Sequence, residues 1–131
     1  MKKYTQMTPE ELKALKPIQN NVPKKWGYEH WIVNNDEYCG KILFIEKGNH
    51  SSWHYHKLKH ETLYVQAGKL KILFNDSDDY KTAKEIILNP GERLVVYRGL
   101  RHRLIALEPT YIIEFSTQHF DTDSIRIEVK E

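Results

Sequence analysis

Apolar and polar positions alternate with a period of two through most of the chain, from about residue 26 onward. Segments 28–33, 38–46, 53–57, 61–66 and 69–75 are rich in β-branched and aromatic residues, as are 85–89, 93–97, 102–107, 110–116 and 125–130. Such runs predict short strands, because successive side chains of an extended chain point to opposite faces. Turn formers separate them: Asn34-Asn35-Asp36, Lys47-Gly48, Ala67-Gly68, Asn89-Pro90-Gly91 and Glu108-Pro109. No helical period lies between the strands, which excludes parallel βαβ units and predicts an all-β sandwich or barrel. The acidic loop 75–81 lacks the glycine and final glutamate of an EF-hand, and reads as a solvated hairpin tip.

One helix is expected, near the N-terminus. Thr8 is placed to cap it, Pro9 suits its first turn and Glu11 completes a capping box. Leu12 and Leu15 give it a narrow apolar stripe, and Pro17 ends it. The expected organisation is a single domain over residues 1–131, with residues 1–21 as an arm packed on the domain edge and residues 22–131 as the barrel.

Composition narrows the function. A formal charge of +2, with acidic and basic residues interspersed, excludes the usual electrostatic footprint of a nucleic-acid or membrane-surface binder. Cys39 is the only cysteine, so no intrachain disulfide can form; a reducing, cytoplasmic setting is the expectation. No apolar run reaches the ~18 residues of a membrane span.

The chemistry concentrates in two glycine-framed stretches. In the first, His54 and His56 share one side of an extended segment and Glu61 returns on the next strand. In the second, residues 91–102, a third histidine arrives at His102. Imidazoles with a carboxylate suit one divalent transition-metal ion, whether Zn, Mn, Fe or Ni, with ligand distances of ~2.0–2.2 Å for a zinc-like ion. A six-coordinate ion would keep two positions for water or substrate. Glu114 alternates with apolar neighbours and is the first candidate for a general base, with an outward-facing strand residue as the alternative. His50 and His60 flank the ligands and read as solvated loop residues, His60 being the second candidate for proton transfer. His30 and His119 read as structural or exposed, and Trp26, Trp31 and Trp53 as core or dimer-contact aromatics.

Gly48-x5-His54-x-His56-x4-Glu61-x6-Gly68 resembles the first cupin motif. Gly91-x5-Tyr97-x-Gly99-x2-His102-x3-Ala106 is similar to the second, which usually has proline where Tyr97 stands and asparagine where Ala106 stands. The resemblance implies a small jelly-roll β-barrel whose mouth holds a metal on His54, His56, Glu61 and His102. Segments 25–29, 102–103, 113–116 and 120–126 further resemble the cupin domain of type II mannose-6-phosphate isomerases. That likeness implies aldose–ketose isomerisation of a sugar or sugar phosphate, with Arg103 and Arg126 as phosphate contacts. These 131 residues leave no room for a guanylyltransferase domain beside the barrel, and Ser116 stands where that family has glutamine. The same ligand set would also serve an Fe(II) dioxygenase or a non-catalytic sugar-binding module. A homodimer is expected, paired through sheet edges with the N-terminal arm exchanged.

Overall fold

The computed structural model describes residues 2–129. Two antiparallel sheets face each other. Strands β1 (Asn20–Lys24), β2 (Gly27–Asn34), β3 (Cys39–Ile45), β10 (Thr110–Ser116), β5 (Glu61–Ala67) and β8 (Arg93–Val96) form one sheet in that order. The other runs β11 (Ile125–Arg126), β4 (His54–Tyr55), β9 (Arg101–Ala106), β6 (Leu70–Asn75) and β7 (Lys84–Leu88). The expected all-β barrel is present. Among the described residues no helix is long and apolar enough to cross a membrane.

Thr110–Ser116 folds as a strand with the expected bounds, whereas 125–130 pairs only over Ile125–Arg126. Lys130 lies outside the described residues. β1 was not expected, because Asn-Asn-Val-Pro-Lys has a single β-former, Val22, and no alternation. Its pairing on β2 at the sheet edge is where a proline is tolerated, since an edge strand needs only half its backbone donors. The arm therefore enters the sheet at Asn20.

The short helix α1 (Pro9–Ala14) has the predicted capping box, with Glu11 N–H donating to Thr8 Oγ1 and Thr8 N–H to Glu11 Oε1, both at 3.1 Å. It buries no residue: Leu12 and Leu15 remain exposed, which corrects the expectation of an arm packed on the domain. Six residues supply too few contacts to dock on their own.

Inward positions change character along each strand. β3 presents Lys41, then Leu43 and Ile45; β10 presents Glu114, then Ile112 and Thr110. β5 runs from Glu61 to Leu63 and Val65, and β9 from His102 to Leu104 and Ala106. Antiparallel register brings the like ends together, Glu114 opposite Lys41 and Ser116 opposite Glu61. One end of the barrel is therefore an apolar core, closed by Leu70, Ile72, Leu88 and Ile112, and the other a buried ionisable layer. Gly68 secures the apolar end: its φ is +98°, and a Cβ there would meet Pro109 O at 2.3 Å.

Candidate metal centre

His54, His56 and His102 converge inside the barrel mouth. Cross-strand pairing sets His54 opposite His102, and β4 places His56 two residues on. Each offers a ring nitrogen, and the three nitrogens lie within 4.8 Å of one another.

A carbonyl fixes each ring. His54 Nδ1 donates to Ser52 O at 2.9 Å, His56 Nδ1 to Asp123 O at 3.0 Å and His102 Nδ1 to Leu100 O at 2.9 Å. With the proton on Nδ1, every Nε2 keeps its lone pair. Burial holds His56 and His102 down to about 4 and pushes His54 well below the usual imidazole range, so all three are neutral at physiological pH.

Glu61 completes the arrangement. Its Oε1 stands 3.6 Å from His102 Nε2 and its Oε2 3.9 Å from His56 Nε2, too far apart for hydrogen bonds. Glu61 Oε2 is buried without a hydrogen-bond partner, Lys59 Nζ approaching to 3.0 Å at an angle unsuited to one. Lone pairs that face one another across such gaps suit a cation between them, and imidazole with carboxylate is a donor set for a divalent transition metal. The residues fit the expected ion.

Behind Glu61 lies a buried ionic network. Lys59 is 4 % exposed, and its ammonium donates to Glu114 Oε2 at 3.2 Å and to His119 Nδ1 at 3.3 Å. Ser116 Oγ donates to the same Glu114 oxygen at 2.9 Å. Burial opposes the Lys59 charge, but Glu114 and then Glu61 outweigh it and keep the ammonium protonated beyond the usual lysine range. Burial likewise opposes ionisation of Glu114; Lys59 and then Lys41 overcome it and bring this carboxyl to about 2. For Glu61 burial wins over Lys59, and its pKa is raised. The two carboxylates differ because Glu114 also has Lys41 and Ser116. Lys41, 1 % exposed, bonds Glu29 Oε1 at 3.2 Å and sits over the Trp31 ring.

Asp123 positions both groups. Its carboxylate accepts the backbone N–H groups of Lys57, Leu58 and Lys59 at 2.9–3.0 Å, fixing the turn between His56 and Glu61. Burial would raise its pKa, and those amides lower it.

The three histidines, Glu61, Lys59, Glu114, Lys41 and His119 line one cavity of about 530 Å³. Glu114 and Arg126 line it. His60 does not: it follows inward-facing Lys59, is turned outward and is exposed. Arg103 follows His102 on β9 and faces the opposite side, where its guanidinium bonds the Tyr80 hydroxyl at 3.2 Å. Strand alternation thus removes Arg103 from the cavity. His119, Trp26 and Trp31 were read as structural or contact residues yet line the cavity, whereas Trp53 is fully buried.

No protein-family model and no curated protein sequence matches the chain. Solved structures do. The capsular polysaccharide assembling protein CapF of Staphylococcus aureus superposes with a TM-score of 0.71 at 19 % identity, over 84 % of this chain and 34 % of CapF. An RmlC-like cupin of Shewanella frigidimarina superposes with a TM-score of 0.66 at 14 % identity, over 79 % of this chain and 86 % of that one. This chain has the cupin fold. Another match is oxalate decarboxylase of Bacillus subtilis, with a TM-score of 0.70 at 17 % identity, covering 82 % of this chain and 30 % of that one. This chain spans about a third of the length of CapF and of oxalate decarboxylase.

Proposed function

We propose that the chain is a metal-dependent sugar or sugar-phosphate isomerase that interconverts aldose and ketose. His54, His56 and His102 would hold one divalent transition-metal ion, with Glu61 beside them. The supporting observation is the set of three fixed, neutral imidazoles facing a carboxylate across a polar cavity. The sequence likeness to type II mannose-6-phosphate isomerases favours a sugar, as does the fold shared with a capsular polysaccharide assembling protein.

When bound, the ion supplies Lewis-acid polarisation of the substrate carbonyl. Glu114, ionised at neutral pH, is the base that moves a proton between the two carbons. Its low pKa makes it weak at rest, since a base works best near the operating pH. Lys59 couples the two halves of the step. As negative charge develops on the substrate oxygen and draws the ammonium, Glu114 loses the charge that depresses it and gains basicity. Lys59 in turn stabilises the charge on that oxygen. Trp31 and Leu43 form apolar parts of the cavity wall.

Glu114→Gln is expected to lower turnover by about 10²–10⁴-fold while metal content stays unchanged. The assay is hexose and hexose-phosphate interconversion with whichever metal co-purifies. Normal activity in the variant would remove Glu114 from the step. Oxygen uptake with iron but not zinc, without isomerisation, would mark a dioxygenase. Saturable binding without turnover would mark a binding module.

We also propose a homodimer through the outer face of the six-stranded sheet. Tyr28, Phe44, Tyr111, Ile113 and Tyr64 adjoin there across strands, with Phe115 58 % and Tyr111 40 % exposed. A contiguous aromatic surface free of charge at its centre suits burial against its own copy, at ~800 Å² per partner. Light scattering should give twice the 15.6 kDa chain mass, and Tyr111→Glu with Phe115→Glu should halve it. A monomeric wild-type chain would overturn the proposal.

A further inference from the structure

Interconverting aldose and ketose moves two protons, one between the carbons and one between the oxygens they carry. In the proposed step Glu114 moves the first. The ring nitrogens of His54, His56 and His102 converge on the metal position, and His60 stands outside the cavity. Among the described residues that line the cavity, His119 is the one imidazole outside the cluster.

His119 is held more firmly than a surface histidine needs to be. Its backbone N–H donates to Asn34 Oδ1 at 2.8 Å, and its carbonyl accepts from Asn34 Nδ2 at 3.0 Å, across 85 positions. Gln19 clasps the Asn34 backbone in the same way, at 2.7 and 3.2 Å. The ring packs edge-on against Trp31, with centroids 5.1 Å apart. The side chain is only 10 % exposed, yet it joins the buried layer to solvent. Nδ1 faces Lys59 Nζ at 3.3 Å, and Nε2 faces Asp121 Oδ1 at 3.0 Å, on a side chain 86 % exposed. An ammonium can only donate, so Nδ1 carries the lone pair and Nε2 the proton. That tautomer is the reverse of the one in the metal cluster, where each Nδ1 donates to a carbonyl.

We infer that His119, backed by Asp121, is the second proton-transfer residue of the cavity and moves the hydroxyl proton of a bound substrate. This deepens the isomerase reading and rests on it. Charge developing on the substrate draws the Lys59 ammonium, which uncovers the Nδ1 lone pair. The substrate hydroxyl then gives its proton to Nδ1: the O–H bond breaks, an N–H bond forms, and the electron pair left behind makes the new carbonyl. The same proton returns to the oxygen that was the carbonyl before, so none is gained or lost over the cycle. Asp121 fixes the tautomer and favours the transient imidazolium, as the carboxylate of a catalytic triad does. Burial, then Lys59 and Lys41, lower the imidazole pKa and keep the ring neutral at physiological pH, against the opposing pull of Asp121 and Glu114.

The test begins with long-range proton–nitrogen NMR of the imidazoles in metal-free protein. His119 is expected as the Nε2–H tautomer, and its pKa should fall further in Asp121→Asn, a change at an exposed side chain. An Nδ1–H tautomer would overturn the proposal. His119→Gln keeps an acceptor for Lys59 but cannot take up a proton. Its kcat for hexose or hexose-phosphate interconversion should fall about 10²-fold, with KM and zinc affinity unchanged. In His119→Ala, added imidazole should restore part of kcat. Wild-type kcat in His119→Gln would overturn the proposal. No turnover of those sugars by the wild-type chain, with the Nε2–H tautomer and the Asp121→Asn shift both found, would instead sink the isomerase reading and leave His119 and Asp121 as the acid–base pair of the cavity.

Discussion

Lys59→Met is expected to lower the stability of the metal-free domain by about 3–5 kcal/mol, read as a shift of the urea midpoint. Lys59 is the cation between Glu61 at 3.0 Å and Glu114 at 3.2 Å, all three side chains being 5 % exposed or less. Methionine matches the stem and removes only the charge, stranding two buried carboxylates. A stranded charge costs more than the intact pair contributes, because its desolvation is no longer offset. Adding Glu114→Gln should recover much of the loss. So should zinc, because an ion bound only to the folded state stabilises it by mass action and supplies positive charge beside Glu61. A shift below ~1 kcal/mol would show that this layer admits water and that Lys59 is no structural counter-ion.

His102→Ala is expected to reduce zinc affinity by about a hundredfold or more, measured by competition with a chromophoric chelator. Three rings preset by carbonyl hydrogen bonds bind without ordering cost, so removing one loses both a donor and the shared geometry. Metal-free stability should change much less than metal affinity, because His102 belongs to the ionisable layer and not to the apolar cluster. Unchanged zinc binding in His102→Ala would sink the centre as described.

The metal cluster was legible from sequence because His54, His56 and His102 carry their chemistry in residue type and spacing. The barrel was legible from alternation, and Glu114 from its place between Ile113 and Phe115. The same alternation, followed one step further, would have found Lys41, between Cys39 and Leu43, and Lys59, two residues before Glu61. Lysine is so strongly biased to surfaces that its type argued against its position. Arg103 erred in the opposite direction: it adjoins inward-facing His102, and adjacency along a strand means opposite faces, while His60 lies just before β5 and is exposed. Asp123 gave no signal, since its role is to accept amides from a turn 64–66 residues away. β1 escaped notice because an edge strand needs no apolar pattern.

The clamp at Asp123 has a consequence for the order in which the centre matures. Both glycine-framed stretches precede Asp123 in the chain, yet His56 takes its orientation from Asp123 O, 67 positions later. Until that segment docks, with β11 pairing on β4, the nascent chain has all three imidazoles but not their common aim. A metal offered before that segment docks would meet separate donors rather than a preset cluster. Assembly of the centre is timed by the most distant contact it contains.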